Sequence, residues 1–200
     1  MKKLILMTAV CLSCSFSANA QSMGVGKNVF YLGAGAGSGF ASGNLYVSGA
    51  GYSYNRTPTF IIGYERGISE AIPQSIIGIG PSASAWFASN TYRDNAGHGW
   101  DKHWSDFTVV AKGYYHHKFL VKDKFDVYGS AMLGLKFRSY SFTATDPYYE
   151  YAKDSYSSVY PVVGAGIGAR YYVSKSFGFY AEVNEGFNVN FAQVGFAFKF

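Results

Sequence analysis

Residues 163 to 173 read VGAGIGARYYV, and the side chains alternate between two kinds along this stretch. One set of alternate positions is apolar or aromatic: Val163, Ala165, Ile167, Ala169, Tyr171 and Val173. The other set is small, charged or polar: Gly164, Gly166, Gly168, Arg170 and Tyr172. Because successive side chains of a β-strand point to opposite faces, this period of two predicts a strand with one greasy face.

Runs with the same period recur along most of the chain. The 200 residues include 18 Tyr and 17 Phe, which favour strands, and only 14% are charged. Each run is near the length that a tilted strand needs to cross a bilayer. The eight predicted strands are residues 29–40, 59–69, 75–89, 106–120, 124–143, 159–173, 177–184 and 188–200. The sequence therefore predicts an all-β chain with almost no helix.

The connections between these runs alternate in length. Long polar segments follow the first, third and fifth runs, at residues 41–58, 90–105 and 144–158. Short turns around SEAIPQ, VKDK and SKS follow the second, fourth and sixth, and NEGFN is a clipped loop on the long side. This arrangement is typical of bacterial outer-membrane barrels. It predicts an eight-stranded antiparallel transmembrane β-barrel with short periplasmic turns and long extracellular loops.

A soluble sandwich or a lipocalin-like barrel is the competing fold. Either would bury the greasy face and expose a face rich in Lys, Glu and Thr. The polar-side positions here are often Gly or Ser. Small residues suit a narrow interior better than a solvated exterior, so the composition favours the membrane barrel.

One strand contains a proline at an awkward position. Pro81 lies on the outward face of the run 75–89, where it removes a donor from the strand ladder. We expect a bulge at this point to absorb the loss.

The N-terminus has the features of an export signal. Lys2 and Lys3 precede an apolar run, and Ala18-Asn19-Ala20 forms a cleavage site of the A-x-A type. The predicted organisation is a removed signal peptide over 1–20, a short lead over 21–28 and a barrel over 29–200. Without the two leader lysines, 15 basic residues face 12 acidic ones. This excess is too mild to indicate a nucleic-acid partner.

The end of the chain, together with FYAEV before it, carries a family resemblance. In GFAFKF, Phe196, Phe198 and Phe200 alternate with Ala197 and Lys199. This ending and the loop pattern resemble the small eight-stranded outer-membrane barrels of the OmpX and OmpA-membrane-domain type. The resemblance implies a monomer in a Gram-negative outer membrane, in contact with lipid and lipopolysaccharide. It also implies that Phe200, with the two rings before it, is read by the outer-membrane assembly machinery.

Charged side chains fall on the inward positions of the predicted barrel. An interior of eight strands is filled by side chains, so these charges have room only for one another and a few waters. We therefore predict a closed lumen with an ion-pair network, in which Glu65 or Glu182 pairs with Arg170 or Lys136. The alternative is a narrow transport barrel for small solutes. The network residues are Glu65, Lys112, Lys136, Arg138, Arg170 and Glu182.

The histidines offer two alternatives that involve chemistry. His98 and His103 lie near aspartates in DNAGHGWDKHW, but their spacing matches no metal motif. His103 and Ser105 share a face, as in lipid A-modifying acyl hydrolases, yet no acid is placed to orient the imidazole and Asp106 faces the other way. We expect no catalytic site, metal or cofactor. His116 and His117 are interpreted as residues near the membrane interface.

The predicted loops are rich in aromatic residues. Trp100 lies in the second long loop, and Tyr148, Tyr149 and Tyr151 lie in the third. Large rings dominate recognition surfaces. They also pack on one another as an extension of the barrel wall, and the sequence leaves both alternatives open. We predict a surface-interaction or envelope-structural role in which these four residues contact a ligand.

Overall fold

The computed structural model describes residues 23–36, 51–70, 74–117, 120, 124–144 and 154–200. Among them, no helix is long and apolar enough to span a membrane. The strands are β1 (Asn28–Ala36), β2 (Tyr52–Arg56), β3 (Thr59–Ser69), β4 (Ser75–Arg93), β5 (Gly99–His117), β6 (Phe125–Ala144), β7 (Asp154–Tyr172), β8 (Phe177–Phe187) and β9 (Ala192–Lys199).

Eight of these strands form a closed ring. Neighbours pair antiparallel in the order β1-β3-β4-β5-β6-β7-β8-β9, and β9 pairs with β1 to close the sheet. At the seam, Asn28 and Phe200 exchange backbone hydrogen bonds of 2.9 and 3.0 Å. Closure removes the free edges that an open sheet would present. The predicted all-β fold and the eight-stranded ring are confirmed.

The short strand β2 comes before β3 in the chain, and Thr57 and Pro58 separate the two strands. β4 pairs with β3 as far as Ala85 and then with β2 from Ala88. Between the two strands, the Thr57 amide donates to the carbonyl of Phe87 at 2.9 Å. The Phe87 amide donates to Thr57 Oγ1 at 3.0 Å, so a side chain replaces a missing ladder partner beside Pro58.

The two faces of the wall follow the alternation seen in the sequence. On β7, Val163 and Ile167 are 51% and 72% exposed on the outside, whereas Arg170 and Tyr172 are buried inside. The same division places Phe196 and Phe198 on the outer face of β9 and Ala197 and Lys199 in the interior. Such an exposed belt of large apolar side chains is what lipid requires and water does not tolerate.

Several strands have other bounds than the sequence predicts. The sequence predicts a loop over 90–105, whereas β4 and β5 pair continuously up to Arg93 and Gly99 and leave only a turn at 94–98. The alternation of ring and polar side chains simply continues above the apolar belt. The last predicted strand begins at residue 188, whereas β9 begins at Ala192. The other two predicted loops, 41–58 and 144–158, are described only in part. Residues 41–50 and 145–153 lie outside the described residues, whereas Tyr52–Arg56 form β2 and β7 begins at Asp154.

Pro81 does not create the expected bulge. The pairs Gly63–Ser82 and Arg66–Ile79 have the same register on either side of it, while Pro81 itself pairs with Ala111 of β5. The register shift lies instead near Gly67 and Ser69. The missing donor therefore interrupts the ladder locally without displacing the strand.

Tyrosines fill the interior because glycines face them. A Cβ at Gly63 would overlap the ring of Tyr31, and one at Gly168 would overlap the ring of Tyr128. The Tyr31 and Tyr114 hydroxyls are 2.8 Å apart, and the rings of Tyr31 and Tyr180 meet edge to face at 5.3 Å. Gly63 and Gly168 thus leave the space in the narrow lumen that the rings of Tyr31 and Tyr128 occupy.

This packing predicts the effect of adding one methyl group. Gly168→Ala should lower the free energy of unfolding by about 1–3 kcal/mol, because the Tyr128 ring must move from a filled interior. Gly113→Ala is the matched control, since among the described residues nothing lies within 4 Å of a Cβ there. Urea unfolding of the protein refolded in lipid vesicles measures both. Equal unfolding midpoints for the two variants would contradict the packing described.

Candidate functional site

The deepest charges of the lumen form a four-residue cluster. His116 Nδ1 lies 2.7 Å from Asp126 Oδ1, and its Nε2 lies 2.7 Å from Glu65 Oε1. Arg170 donates from Nη2 to Glu65 Oε2 at 2.5 Å, and its Nη1 is 3.5 Å from Asp126 Oδ2. All four side chains are at most 1% exposed. An imidazolium donates from both nitrogens, so two cations and two carboxylates compensate each other.

A second cluster centres on Glu182. Lys112 Nζ donates to Glu182 Oε1 at 2.6 Å, and Gln193 Nε2 donates to the same oxygen at 2.9 Å. The Tyr128 hydroxyl donates to Glu182 Oε2 at 3.0 Å. Both carboxylate oxygens are therefore bonded, which is the condition under which a buried charge is tolerated.

A third cluster lies higher in the barrel. Arg138 donates to both oxygens of Asp106, at 2.8 and 2.7 Å, and Lys136 Nζ lies 3.9 Å from Asp106 Oδ2. The bidentate geometry fixes the guanidinium at the level where the outer face changes from apolar to polar side chains.

The six residues predicted to form the network all face the lumen. The structure pairs Glu65 with Arg170, which was among the expected pairs, but it pairs Glu182 with Lys112 and places Lys136 near Asp106. Sequence reasoning missed Asp106, Asp126 and His116 as members. The interpretation of His116 as interfacial was wrong, because the ring is fully buried between carboxylates. Its position was recoverable, since His116 has the same strand parity as Lys112.

Short segments close the lumen at both ends. At the end of the barrel where β1 begins and β9 ends, Met23 is 2% exposed in the core, and the Gly26 amide donates to the carbonyl of Gly67 at 2.8 Å. At the other end, Val189 packs with Val110, Val162 and Met132. A cavity between the Glu182 cluster and the Val189 plug has a volume of about 30 Å³, room for one or two waters.

The plug at Val189 is held by asparagines. Asn188 Nδ2 donates to the carbonyl of Pro161 at 3.1 Å, and Asn190 Nδ2 donates to Ser84 Oγ at 2.8 Å. Asn188 has a positive φ of 60°, a conformation that Asn tolerates better than most residues. These contacts hold the segment between β8 and β9 folded inward, over the opening of the barrel.

Beyond the apolar belt, β2 and the upper parts of β4 to β7 continue as a curved sheet, here called the extracellular sheet. Its inner face, on the lumen side of the strands, is aromatic. Tyr52, Tyr92 and Trp100 form one group with ring centroids 4.6 to 6.1 Å apart. Tyr140 lies 5.5 Å from Trp104 and 5.0 Å from Tyr156. All three tryptophans of the chain, Trp86, Trp100 and Trp104, lie on this inner face.

Cations lie among these rings. Lys102 Nζ is 4.4 Å from the Trp100 ring centroid and 5.8 Å from that of Phe142, and Arg56 Cζ is 4.5 Å from the Trp86 ring centroid. Two buried polar atoms of the same face, Trp86 Nε1 and Asn90 Oδ1, have no hydrogen-bond partner among the residues that the structure describes. The inner face thus offers rings, positive charge and unused hydrogen-bonding groups.

Trp100 is the one predicted loop contact whose position is described. It lies on β5 in the aromatic group of the inner face, in a strand and not in a loop. Tyr148, Tyr149 and Tyr151 lie outside the described residues. The rings of Phe196 and Phe198 face outward around Phe177, at centroid distances of 5.8 and 5.3 Å. Phe200 is 67% exposed beside them.

The outer face of the extracellular sheet carries a different chemistry. Above the rings of Phe87, Phe107 and Phe137, most outward positions are hydroxyls, with an amide, one imidazole and, at the top, the Arg93–Asp101 ion pair. Ser105 pairs with Ser139, which pairs with Ser157. One step higher, a row crosses five strands: Asn55, Ser89, His103, Ser141 and Ser155.

The histidine alternatives are not supported by this arrangement. Asp101 lies on the same face as His103 and Ser105, but its Oδ2 accepts a hydrogen bond from Arg93 at 2.8 Å. That bond holds the pKa of the Asp101 carboxyl below its ordinary value. Asp106 faces the lumen, as expected. Among the described residues, no group of three His, Cys, Asp or Glu could hold a metal ion.

The Glu182 cluster predicts an asymmetric response to loss of charge. Glu182→Gln should lower the free energy of unfolding by about 1–3 kcal/mol, because Lys112 loses its counter-charge in a dry interior. Glu185→Gln, on the exposed face of the same strand, should have an effect within about 0.5 kcal/mol. Urea midpoints in lipid vesicles provide the comparison. If Glu182→Gln leaves the midpoint unchanged, the lumen is hydrated.

Comparison with known proteins identifies the fold. No protein-family model matches the chain, and no curated protein matches it. Among solved structures, Ail from Yersinia pestis in complex with the heparin analogue sucrose octasulfate matches with a TM-score of 0.52 and 12% identity, over 88% of this chain and 100% of that chain. OprG from Pseudomonas aeruginosa matches with a TM-score of 0.46 and 14% identity, over 90% and 98%. The chain therefore has the fold of small eight-stranded outer-membrane β-barrels.

Proposed function

We propose that this chain is a bacterial outer-membrane protein without a catalytic site, which recognises an anionic surface ligand through the inner face of its extracellular sheet. The observation that carries the proposal is the combination on that face of aromatic groups with Lys102 and Arg56. Rings supply large contact area at low entropic cost, and cations supply attraction for acidic groups.

The location in the membrane is supported by the wall itself. Large apolar side chains cover its outside, with Ile167 72% and Leu133 65% exposed. Strand pairing satisfies the backbone around the whole ring, which is a condition for crossing hydrocarbon.

A transport role is disfavoured by the filled lumen. Three charge clusters, the tyrosines and the plugs at Met23 and Val189 occupy the interior, and the cavity of about 30 Å³ between them has room for one or two waters. Because the interior is occupied, we place the function on the surface, where loops and strand ends held by a rigid scaffold recognise other molecules.

The preference for an anion comes from this chain's own charges. Arg93 and Arg138 are engaged by Asp101 and Asp106, whereas Lys102 and Arg56 lie against rings. A cation held over a ring keeps its hydrogen-bond donors available for an acidic group. Trp86 Nε1 adds a neutral donor at the same place.

Sucrose octasulfate, which was crystallised with Ail, is a suitable polyanionic probe. Because every tryptophan lies on the inner face, intrinsic fluorescence of the refolded protein reports binding there. Lys102→Ala should weaken binding about tenfold, the value of one charge-assisted contact. Lys175→Ala, in the exposed turn at the opposite end of the barrel, should bind as the unmodified protein does.

Two results would contradict the proposal. The unmodified protein fails to respond to millimolar probe, or Lys175→Ala weakens binding as much as Lys102→Ala. The second result would mean that net charge, and not the inner face, attracts the probe.

A further inference from the structure

The outer face of the extracellular sheet forms a groove directly above the apolar wall. The groove has a volume of about 570 Å³, and its polar lining includes Asn55, Ser89, His103, Ser105, Ser139 and Ser141. Phe87 lies at its lower edge. Between the level of the Phe87 ring and that of Asp101, most outward side chains are serines. Because serine is small, the space above the wall stays open.

We propose that this groove holds the saccharide headgroup of an outer-leaflet glycolipid, whose acyl chains lie on the apolar wall directly below. This inference rests on the proposed location in the outer membrane but not on ligand binding by the inner face. Continuity is the first argument. On β5 and β6, the outward positions pass from Val109 and Leu135 through Phe107 and Phe137 to serines without a gap. One amphipathic molecule lying along these strands would meet apolar and then hydroxyl surface in that order.

The height of the polar face distinguishes a glycolipid from a phospholipid. Outward polar positions on β5 comprise Ser105, His103 and Asp101. From the Phe107 ring to Asp101 the strand advances six residues, or roughly 20 Å along its length. With a tilt of about 40°, the face rises about 15 Å above the rings. The headgroup layer of a phospholipid leaflet is about 5–8 Å thick. A saccharide headgroup is needed to cover the rest.

The chemistry of the face also fits sugar better than phosphate. Serine hydroxyls both donate and accept, as sugar hydroxyls do, and Asn55 adds an amide with both capacities. Two cations lie nearby. Arg93 is already bonded to Asp101 at 2.8 Å, and Arg56, which also lines the groove, places its guanidinium 4.5 Å from the Trp86 ring centroid on the opposite face. Hydroxyl-to-hydroxyl matching across rows that are about 7 Å apart is therefore the main recognition available.

The test uses the refolded protein in detergent with purified lipopolysaccharide, the detached core oligosaccharide or phosphatidylglycerol as probes. Ser139→Val combined with Ser141→Val removes two hydroxyls and keeps strand propensity. The matched control is Ser158→Val, which faces the lumen side of the adjoining strand. Binding is measured as lipid retained per barrel after gel filtration, and for the oligosaccharide by calorimetry.

The unmodified protein should retain lipopolysaccharide and bind phosphatidylglycerol at least tenfold more weakly. The double variant should lose at least fivefold of the lipopolysaccharide affinity, while Ser158→Val keeps it. The core oligosaccharide should compete with lipopolysaccharide.

Three results would overturn the inference. These are equal retention of the two lipids, no competition by oligosaccharide, or equal retention by the double variant and the control. Each is distinguishable from failure of the proposed function, because sucrose octasulfate binding to the inner face is read separately from tryptophan fluorescence. A double variant that fails to refold is replaced by His103→Ala, for which the same loss is required.

Discussion

The width of an eight-stranded ring constrains everything inside it. Such an interior is filled by side chains, so several of its large rings lie over a glycine on a neighbouring strand, as Tyr128 does over Gly168. Each charge requires a partner within the same layer, because no bulk water reaches it. The His116 and Glu182 clusters satisfy this requirement within hydrogen-bond distance. The lumen is thus filled because the barrel has only eight strands. A filled lumen leaves the surface as the place for function.

The surface is not symmetric around the barrel. β4 to β7 extend well above the ring of Phe107 and Phe137, whereas β8 ends at Phe187 and β9 begins at Ala192. The period of two persists in the extension, so the sheet keeps two chemically distinct faces after it leaves the apolar belt. The inner face combines rings with Lys102, and the outer face is rich in hydroxyls. One local rule of strand geometry therefore generates two separate surfaces.

The period of two in the sequence predicted which side chains face outward and which face the lumen. It predicted poorly where the strands begin and end. The alternation in residues 163–173 was sufficient to assign Arg170 to the lumen and Ile167 to the outside. Strand ends were less predictable, because 90–105 keeps the same alternation with polar in place of apolar residues and resembles a loop in composition. The plug at Val189 had no sequence signal, since its burial depends on space left by Gly164 on another strand.

The charge network was predicted in membership more than in pairing. Parity along each strand identifies which side chains enter the lumen, and the same parity applied to His116 and Asp126 would have added both. Which charges pair depends on how far strands that are distant in sequence are shifted along one another, as for Glu65 on β3 and Arg170 on β7. The period of two within each strand carries no information on that shift.

The central claim is that this barrel is closed, and electrical conductance tests it most directly. Purified, refolded protein in a planar bilayer at high salt should give no discrete conductance steps, because Met23, Val189 and the charge clusters fill the lumen. Reproducible single-channel steps of porin size from the unmodified protein would contradict the closed lumen, and with it the assignment of function to the two faces of the extracellular sheet.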